Sequence, residues 1–176
     1  LKFLAIISFI ESIIFPIPPD IFLIPISMTK KYRWFFLGVY TTFFSILGGI
    51  LGYAIGAFFW DILGENIVNF YNAHNQIEKL RIIFNNHGWA IIMIAGLTPL
   101  PYKIFTIGAG LFSLNFYIFI LCSVISRGIR FLSVTYLVSK YGEKGIQVLK
   151  KHFIKFSLLF LIVTISIIYI ILYVEK

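Results

Sequence analysis

Apolar residues fall into five runs, at 3–28, 34–60, 89–114, 114–140 and 153–174, with the polar residues gathered between them. The runs at 34–60, 114–140 and 153–174 meet the length of about 20 residues that a helix needs to cross a bilayer. The other two are interrupted near their middles, by Pro16, Pro18, Pro19 and Asp20 in the first and by Pro99, Pro101 and Lys103 in the second. Proline removes a backbone donor and clashes with the preceding turn, so each broken run predicts two helical arms of about 8–13 residues. At 1.5 Å per residue neither arm reaches across about 30 Å of hydrocarbon. Between these runs, Leu63, Ile67, Phe70, Ile77, Leu80 and Phe84 recur at helical spacing among Asn, His, Glu and Lys. That pattern predicts amphipathic helices lying in the membrane interface over 61–88, not a further span.

Charge placement distinguishes a kinked span from a hairpin that enters and leaves on one side. Lys30, Lys31 and Arg33 follow the first broken run, and Lys140, Lys144, Lys150, Lys151 and Lys155 follow the fourth run. Residues 61–88 instead mix Asp61, Glu65 and Glu78 with Lys79 and Arg81. Basic clusters gather on the cytoplasmic side, and both do so here only if the broken runs are re-entrant hairpins. Composition agrees on the solvent. With 60% hydrophobic and 12% charged residues and a mean hydropathy of +0.95, the chain has too little polar surface for a soluble globule. The predicted fold is an all-α integral membrane domain over 1–176: a first repeat at about 3–60, an interfacial linker at 61–88, a second repeat at about 89–140 and a C-terminal transmembrane helix at about 153–174. The chain opens on Leu1, so an upstream piece is expected, and no leader pattern with a cleavage site precedes residues 3–28.

The net charge of +8 shows no basic face on a soluble fold, which argues against a nucleic-acid partner. Cys122, the one cysteine, cannot form an internal disulfide. His74, His87 and His152 fall in polar stretches and are read as solvated surface residues. With no histidine in a span, haem is not expected, and no cofactor or metal is predicted.

The broken runs resemble each other. Offset by 83, PIPPDIFLIPISM (16–28) aligns with PLPYKIFTIGAGL (99–111), matching Pro16 to Pro99, Pro18 to Pro101, Ile21 to Ile104, Phe22 to Phe105 and Ile24 to Ile107. Each copy precedes a long apolar run, which is the inverted-repeat plan of many transporters, with broken helices meeting near the midplane. This alignment sets Asp20 opposite Lys103.

Charges inside apolar runs are costly, and those here are the candidate chemistry. Arg127 lies 13 residues from either end of the run 114–140, about 20 Å from both, too deep to snorkel. An unpaired arginine there costs at least about 2.5–3.5 kcal/mol. Arg130 shares its helix face, with Ser123 and Ser126 close by, and Glu11 and Asp20 are the available counter-charges. Two acids against Lys103, Arg127 and Arg130 leave one positive charge in surplus, which should attract an anion, and the planar guanidinium fork suits phosphate. Protonating Glu11 or Asp20 would enlarge the surplus and so couple proton uptake to anion binding. The competing reading is a fixed ion pair that pins helices together. Gly48, Gly52 and Gly56 recur every four residues and predict close helix packing, within the protein or between protomers of a homo-oligomer. Gly108 and Gly110 are read as tight backbone and not as a phosphate loop.

Taken together, FIESIIFPIPPD, GLTPLPYKIFTIGAG and SRGIRF resemble the DedA family, the bacterial branch of the SNARE-associated Golgi protein or VTT-domain superfamily, and the YqaA-type subgroup most closely. The resemblance implies two opposed re-entrant hairpins, a location in the bacterial inner membrane, and movement of undecaprenyl phosphate or a phospholipid across the bilayer. It also implies essential acids in the first hairpin region and arginines after the second, here Glu11, Asp20, Arg127 and Arg130. The expected function is therefore a lipid-phosphate transporter. Its expected roles are phosphate binding by Arg127, Arg130 and Lys103, proton coupling by Glu11 and Asp20, and hairpin-tip shaping by Pro16, Pro18, Pro19, Pro99 and Pro101. A scaffold or assembly factor for other membrane proteins is the alternative. A membrane lipid phosphatase fits less well, since no nucleophile–base pairing is visible in the runs.

Overall fold

The computed structural model describes residues 2–12, 19–29, 33–64, 69, 74–98, 101–144 and 146–147. Pro16, Pro18, Pro99, His152 and the expected C-terminal helix at 153–174 lie outside the described residues. Among those described, the chain is all-helical: α1 (Lys2–Glu11), α2 (Asp20–Thr29), α3 (Trp34–Phe59) continued by a π-helical turn (Trp60–Gly64), α4 (His74–Leu97), α5 (Tyr102–Leu111) and α6 (Phe116–Tyr141). Three helical stretches are long and apolar enough to cross a membrane: Trp34–Ile62, Ile77–Leu97 and Phe116–Tyr141.

Local chemistry sets the boundaries. Pro19 and Pro101 stand immediately before α2 and α5, where a missing N–H costs nothing and the fixed φ suits entry to a helix. The Pro19 carbonyl accepts from Phe22 and Leu23 N–H at 3.0 and 2.9 Å, and the Pro101 carbonyl from Ile104 N–H at 3.1 Å. Asn115 caps α6, its side-chain oxygen accepting from Tyr117 and Ile118 N–H. Gly142 ends the same helix with φ of 56°, a conformation that glycine adopts without strain.

α3 and α6 lie antiparallel along their lengths. A Cβ on Gly38 would meet Leu132 and Thr135, while Tyr53 stacks against Phe116 and Phe119 and its hydroxyl donates to the Leu114 carbonyl at 2.6 Å. Trp34 accordingly touches Tyr136, so Arg33 lies at the same end of the molecule as Lys140. At the other end the Arg81 guanidinium lies 5.2 Å over the Trp60 ring.

Two apolar cores flank the middle of α6. One gathers Leu4 of α1, Leu23 of α2 and Leu37 of α3 around Phe131, Val134 and Val138. The other gathers Ile92 and Ala95 of α4 and Tyr102 and Ala109 of α5 around Leu114, Phe119 and Cys122. The pair α1/α2 thus serves the half of α6 that ends at Tyr141, and α4/α5 the half that begins at Phe116. Between them, at 123–130, neither core reaches.

The outer surface is apolar, and small or hydroxylated residues share the interior with the two cores. Phe35, Phe43, Ile55 and Phe58 of α3 and Tyr117, Leu121 and Ile129 of α6 are exposed, whereas Ser8, Ser12, Thr41, Ser45, Thr106, Ser123, Ser126 and Thr135 are fully buried. Most of these hydroxyls donate to the carbonyl four residues back on their own helix, which satisfies them without a partner helix. An apolar exterior around a small-residue interior is the arrangement that lipid solvent favours. The expected glycine stripe provides close packing: a Cβ on Gly48 would lie 2.2 Å from the Phe9 carbonyl oxygen of α1, and one on Gly56 only 2.0 Å from that of Ile107 in α5. Gly110 answers from α5, where a Cβ would fall 1.9 Å from the Tyr53 carbonyl oxygen.

Two expectations change. The interfacial linker has no boundary at 88 and is not without a span: α4 runs unbroken from His74 to Leu97, and its stretch Ile77–Leu97 is long and apolar enough to cross a membrane. No proline interrupts that stretch, and Gly88 serves as a contact site, its bare Cα facing Leu114. Measured by helix starts, the spacing of matching elements is 82, one residue from the 83 of the sequence alignment. α2 and α5 both have 10 residues and begin at 20 and 102, while α3 and α6 both have 26 and begin at 34 and 116. Asp20 therefore corresponds to Tyr102, and Lys103 falls one position further on.

Candidate functional site

The uncovered middle of α6 holds the two arginines. Arg127 lies 11 residues after Phe116 and 14 before Tyr141, about 17 and 21 Å from the ends of the helix. α1 ends beside it and α2 begins beside Arg130, so the two acids of the first broken run arrive from one end. α4 ends and α5 begins at the same level from the other.

Arg127 is fully buried, and its Nη2 donates to Glu11 Oε2 at 3.4 Å. Glu11 is itself buried; Oε2 also accepts from Ser12 Oγ at 3.4 Å, and Ser12 Oγ lies 3.0 Å from Ser45 Oγ of α3. Beneath the guanidinium, Cζ stands 4.0 Å from the centre of the Tyr102 ring and 5.4 Å from that of Phe131. The Tyr102 hydroxyl donates to Ser123 Oγ, one turn before Arg127 on the same helix, which fixes the ring. A desolvated cation over an aromatic face gains about 2 kcal/mol, so Tyr102 compensates part of the burial. The compensation is incomplete. Among the described residues Arg127 Nε and Nη1 have no hydrogen-bond partner, and each buried donor left bare costs about 1–3 kcal/mol.

Arg130 has a different environment. Its Nη2 donates to Asp20 Oδ2 at the start of α2, and its Nη1 to the Thr98 carbonyl just past the end of α4, at 2.5 Å for the latter. One guanidinium thus bonds the first broken run to the second. Among the described residues, buried Asp20 Oδ1 has no partner.

The structure brings together four of the expected site residues, Glu11, Asp20, Arg127 and Arg130. Lys103, the fifth, is half-buried in the first turn of α5, where its carbonyl accepts from Thr106 Oγ1 at 2.9 Å. The opposite charge that meets Asp20 is Arg130, in place of the Lys103 that the offset of 83 set against it. His74 and His87 are exposed on α4. Tyr102 and the Thr98 carbonyl were not among the expected site groups. The element spacing of 82, which puts Tyr102 opposite Asp20, is the signal that would have drawn attention to the ring.

A buried arginine pair at the meeting point of broken helices is a feature to compare with known proteins, and the family model of the VTT domain matches residues 17–140. The chain belongs to the VTT-domain family. That domain is the one shared by DedA and SNARE-associated proteins, and with its apolar helices the chain is a membrane protein of DedA type. The matched stretch includes Asp20, Lys103, Arg127 and Arg130, while Glu11 precedes it. A protein of Haemophilus influenzae described as uncharacterised is 41% identical over 148 residues, covering 84% of this chain and 77% of its own length. A protein of Histophilus somni, also described as uncharacterised, is 35% identical over 141 residues, covering 80% of this chain and 73% of its own length. No solved structure matches the chain.

Proposed function

We propose that this VTT-domain protein moves a phosphate-bearing lipid, a polyprenyl phosphate or a phospholipid, across the bacterial inner membrane. In this reading α1/α2 and the end of α4 with α5 are re-entrant hairpins of an inverted repeat, entering from opposite faces. Their tips and the centre of α6 form the polar path, while the lipid tail stays among the exposed apolar side chains. The observation that carries the reading is Arg127, a buried cation in the middle of a 26-residue apolar helix with two nitrogens unbonded. A permanent helix pin would satisfy its donors; a site that awaits an anion leaves some of them open. Glu11 and Asp20 hold the arginines when no phosphate is present and take protons when it binds, and Lys103 adds positive charge near the tips. The protein is a carrier and not an enzyme in this account.

The test is reconstitution in liposomes with a fluorescent polyprenyl phosphate, following its exposure to a membrane-impermeant quencher. Replacing Arg127 or Arg130 with Ala should slow translocation at least about tenfold, Arg127 through lost hydrogen bonds to the phosphate and Arg130 through the lost tie between the first broken run and the second. Equal rates in wild type, both variants and empty liposomes would end the proposal.

A further inference from the structure

Both arginines approach the Phe131 ring, but their hydrogen bonds differ throughout. Arg130 is committed at both ends of its fork, to a carboxylate on α2 and to a carbonyl at the end of α4. Arg127 meets one carboxylate oxygen at the long limit of a hydrogen bond, and among the described residues its Nε and Nη1 find no partner although it is fully buried. It also rests on the Tyr102 ring, which Ser123 holds. Resting on the transport reading above, we propose that the arginines divide the work: Arg127 receives the phosphate, Tyr102 positions it, and Arg130 is a latch joining the two helix pairs.

The division follows from donor supply. A phosphate monoester carries several acceptor oxygens and binds best where more than one N–H is available from a preset plane. Arg127 has such donors in Nε and Nη1, besides the Nη2 that Glu11 takes. Arg130 could offer them only by releasing Asp20 or Thr98, which would part the two runs. Access points the same way. Arg127 is enclosed, and the Arg130 fork ties the start of α2 to the end of α4 beside it; in this proposal the phosphate enters when that fork opens. Tyr102 is a positioning residue. The stacking face sets the guanidinium plane, and the Ser123 bond sets the face.

The test uses the full-length protein in nanodiscs with Cys122→Ser as background and Thr98→Cys as reporter. Two quantities are read: affinity for a short-chain polyprenyl monophosphate, with inorganic phosphate as competitor, and the rate at which a water-soluble maleimide labels position 98. Arg127→Lys keeps a charge for Glu11 but loses the fork, so affinity should fall about tenfold or more with labelling unchanged. The neutral pair Asp20→Asn/Arg130→Gln removes the latch without stranding a buried charge. Labelling should rise about fivefold or more, with affinity within about threefold of wild type. Tyr102→Phe keeps the ring and should retain most of the affinity that Tyr102→Leu loses. Competition by inorganic phosphate as strong as that of the unlabelled lipid would identify the free ion as sufficient ligand; weaker competition identifies the lipid.

Equal loss of affinity in the Arg127 and Asp20/Arg130 variants, with labelling unchanged in both, would overturn the division. A wild type that binds neither phosphate probe overturns the transport reading and the role of Arg127 together. The labelling of the Asp20/Arg130 variant reports on the latch separately, so the two failures are distinguishable.

Discussion

Neutralising Glu11 is the sharpest test of how the centre of α6 is held. Arg127 Nη2 and Glu11 Oε2 are 3.4 Å apart. With an effective dielectric of about 20, two unit charges at that separation attract by about 5 kcal/mol. Glu11→Gln removes that attraction and leaves a fully buried cation without a counter-charge, while the amide oxygen recovers about 1 kcal/mol as a neutral acceptor. The net loss is about 3–5 kcal/mol, the range for breaking one side of a buried pair. Arg127→Gln combined with Glu11→Gln removes both charges, so the double variant should lie within about 1–2 kcal/mol of wild type. Cys122 is buried on the same helix and supplies the assay: a thiol-reactive fluorophore reports its exposure as detergent-solubilised protein is heated. At about 2–4 °C per kcal/mol for a chain of this size, Glu11→Gln should lower the midpoint by about 6–20 °C, and the double variant should recover most of that. Inorganic phosphate should raise the midpoint of Glu11→Gln, because an anion that binds the folded state stabilises it, and should leave the double variant unmoved. A midpoint for Glu11→Gln within about 2 °C of wild type, or a double variant less stable than the single one, would refute the reasoning.

Gly56→Ala places a methyl 2.0 Å from the Ile107 carbonyl oxygen and should destabilise by about 1–3 kcal/mol or more, since the obstacle is backbone. Gly128→Ala, whose nearest neighbour is Thr42 Cγ2 at 4.0 Å, should be neutral or stabilising in the same thiol-exposure assay. Asn115→Ala removes the cap of α6 and should cost about 1 kcal/mol, read as faster hydrogen exchange of the Tyr117 and Ile118 amides with little change elsewhere. Tyr53→Phe deletes the hydroxyl that bonds the Leu114 carbonyl and should cost about 1 kcal/mol by thermal midpoint, with translocation retained.

The membrane class, the long helices α3 and α6, and the four charges at the centre were legible because each depends on a strong local signal. A proline breaks a helix wherever it falls, and a charge in an apolar run must find a partner. The pairing of those charges was less legible. An alignment rich in Ile and Phe can slip by one residue at little cost, and a slip of one exchanges Tyr102 for Lys103. The aromatic support beneath Arg127 was hidden for that reason. The extent of α4 was hidden for another: Asn85, Asn86, His87 and Gly88 read as a polar connection, yet none of them stops a helix that packs on both sides of the stretch, Phe84 against Phe112 and Gly88 against Leu114. The Thr98 carbonyl is a backbone group, and no residue pattern announces which carbonyl a distant arginine will use.

Gly52 has a place that its neighbours in the stripe do not share. A methyl there would meet Thr106 Oγ1 at 2.5 Å and the Ser12 carbonyl at 3.4 Å, so α5 and the end of α1 bear on one spot of one rod. Gly48 feels the first arm and Gly56 the second, but Gly52 feels both. The helix ends that flank the arginines consequently bear on one shared point. Bulk added at either end of the stripe should displace one of them, whereas bulk at its centre should displace both.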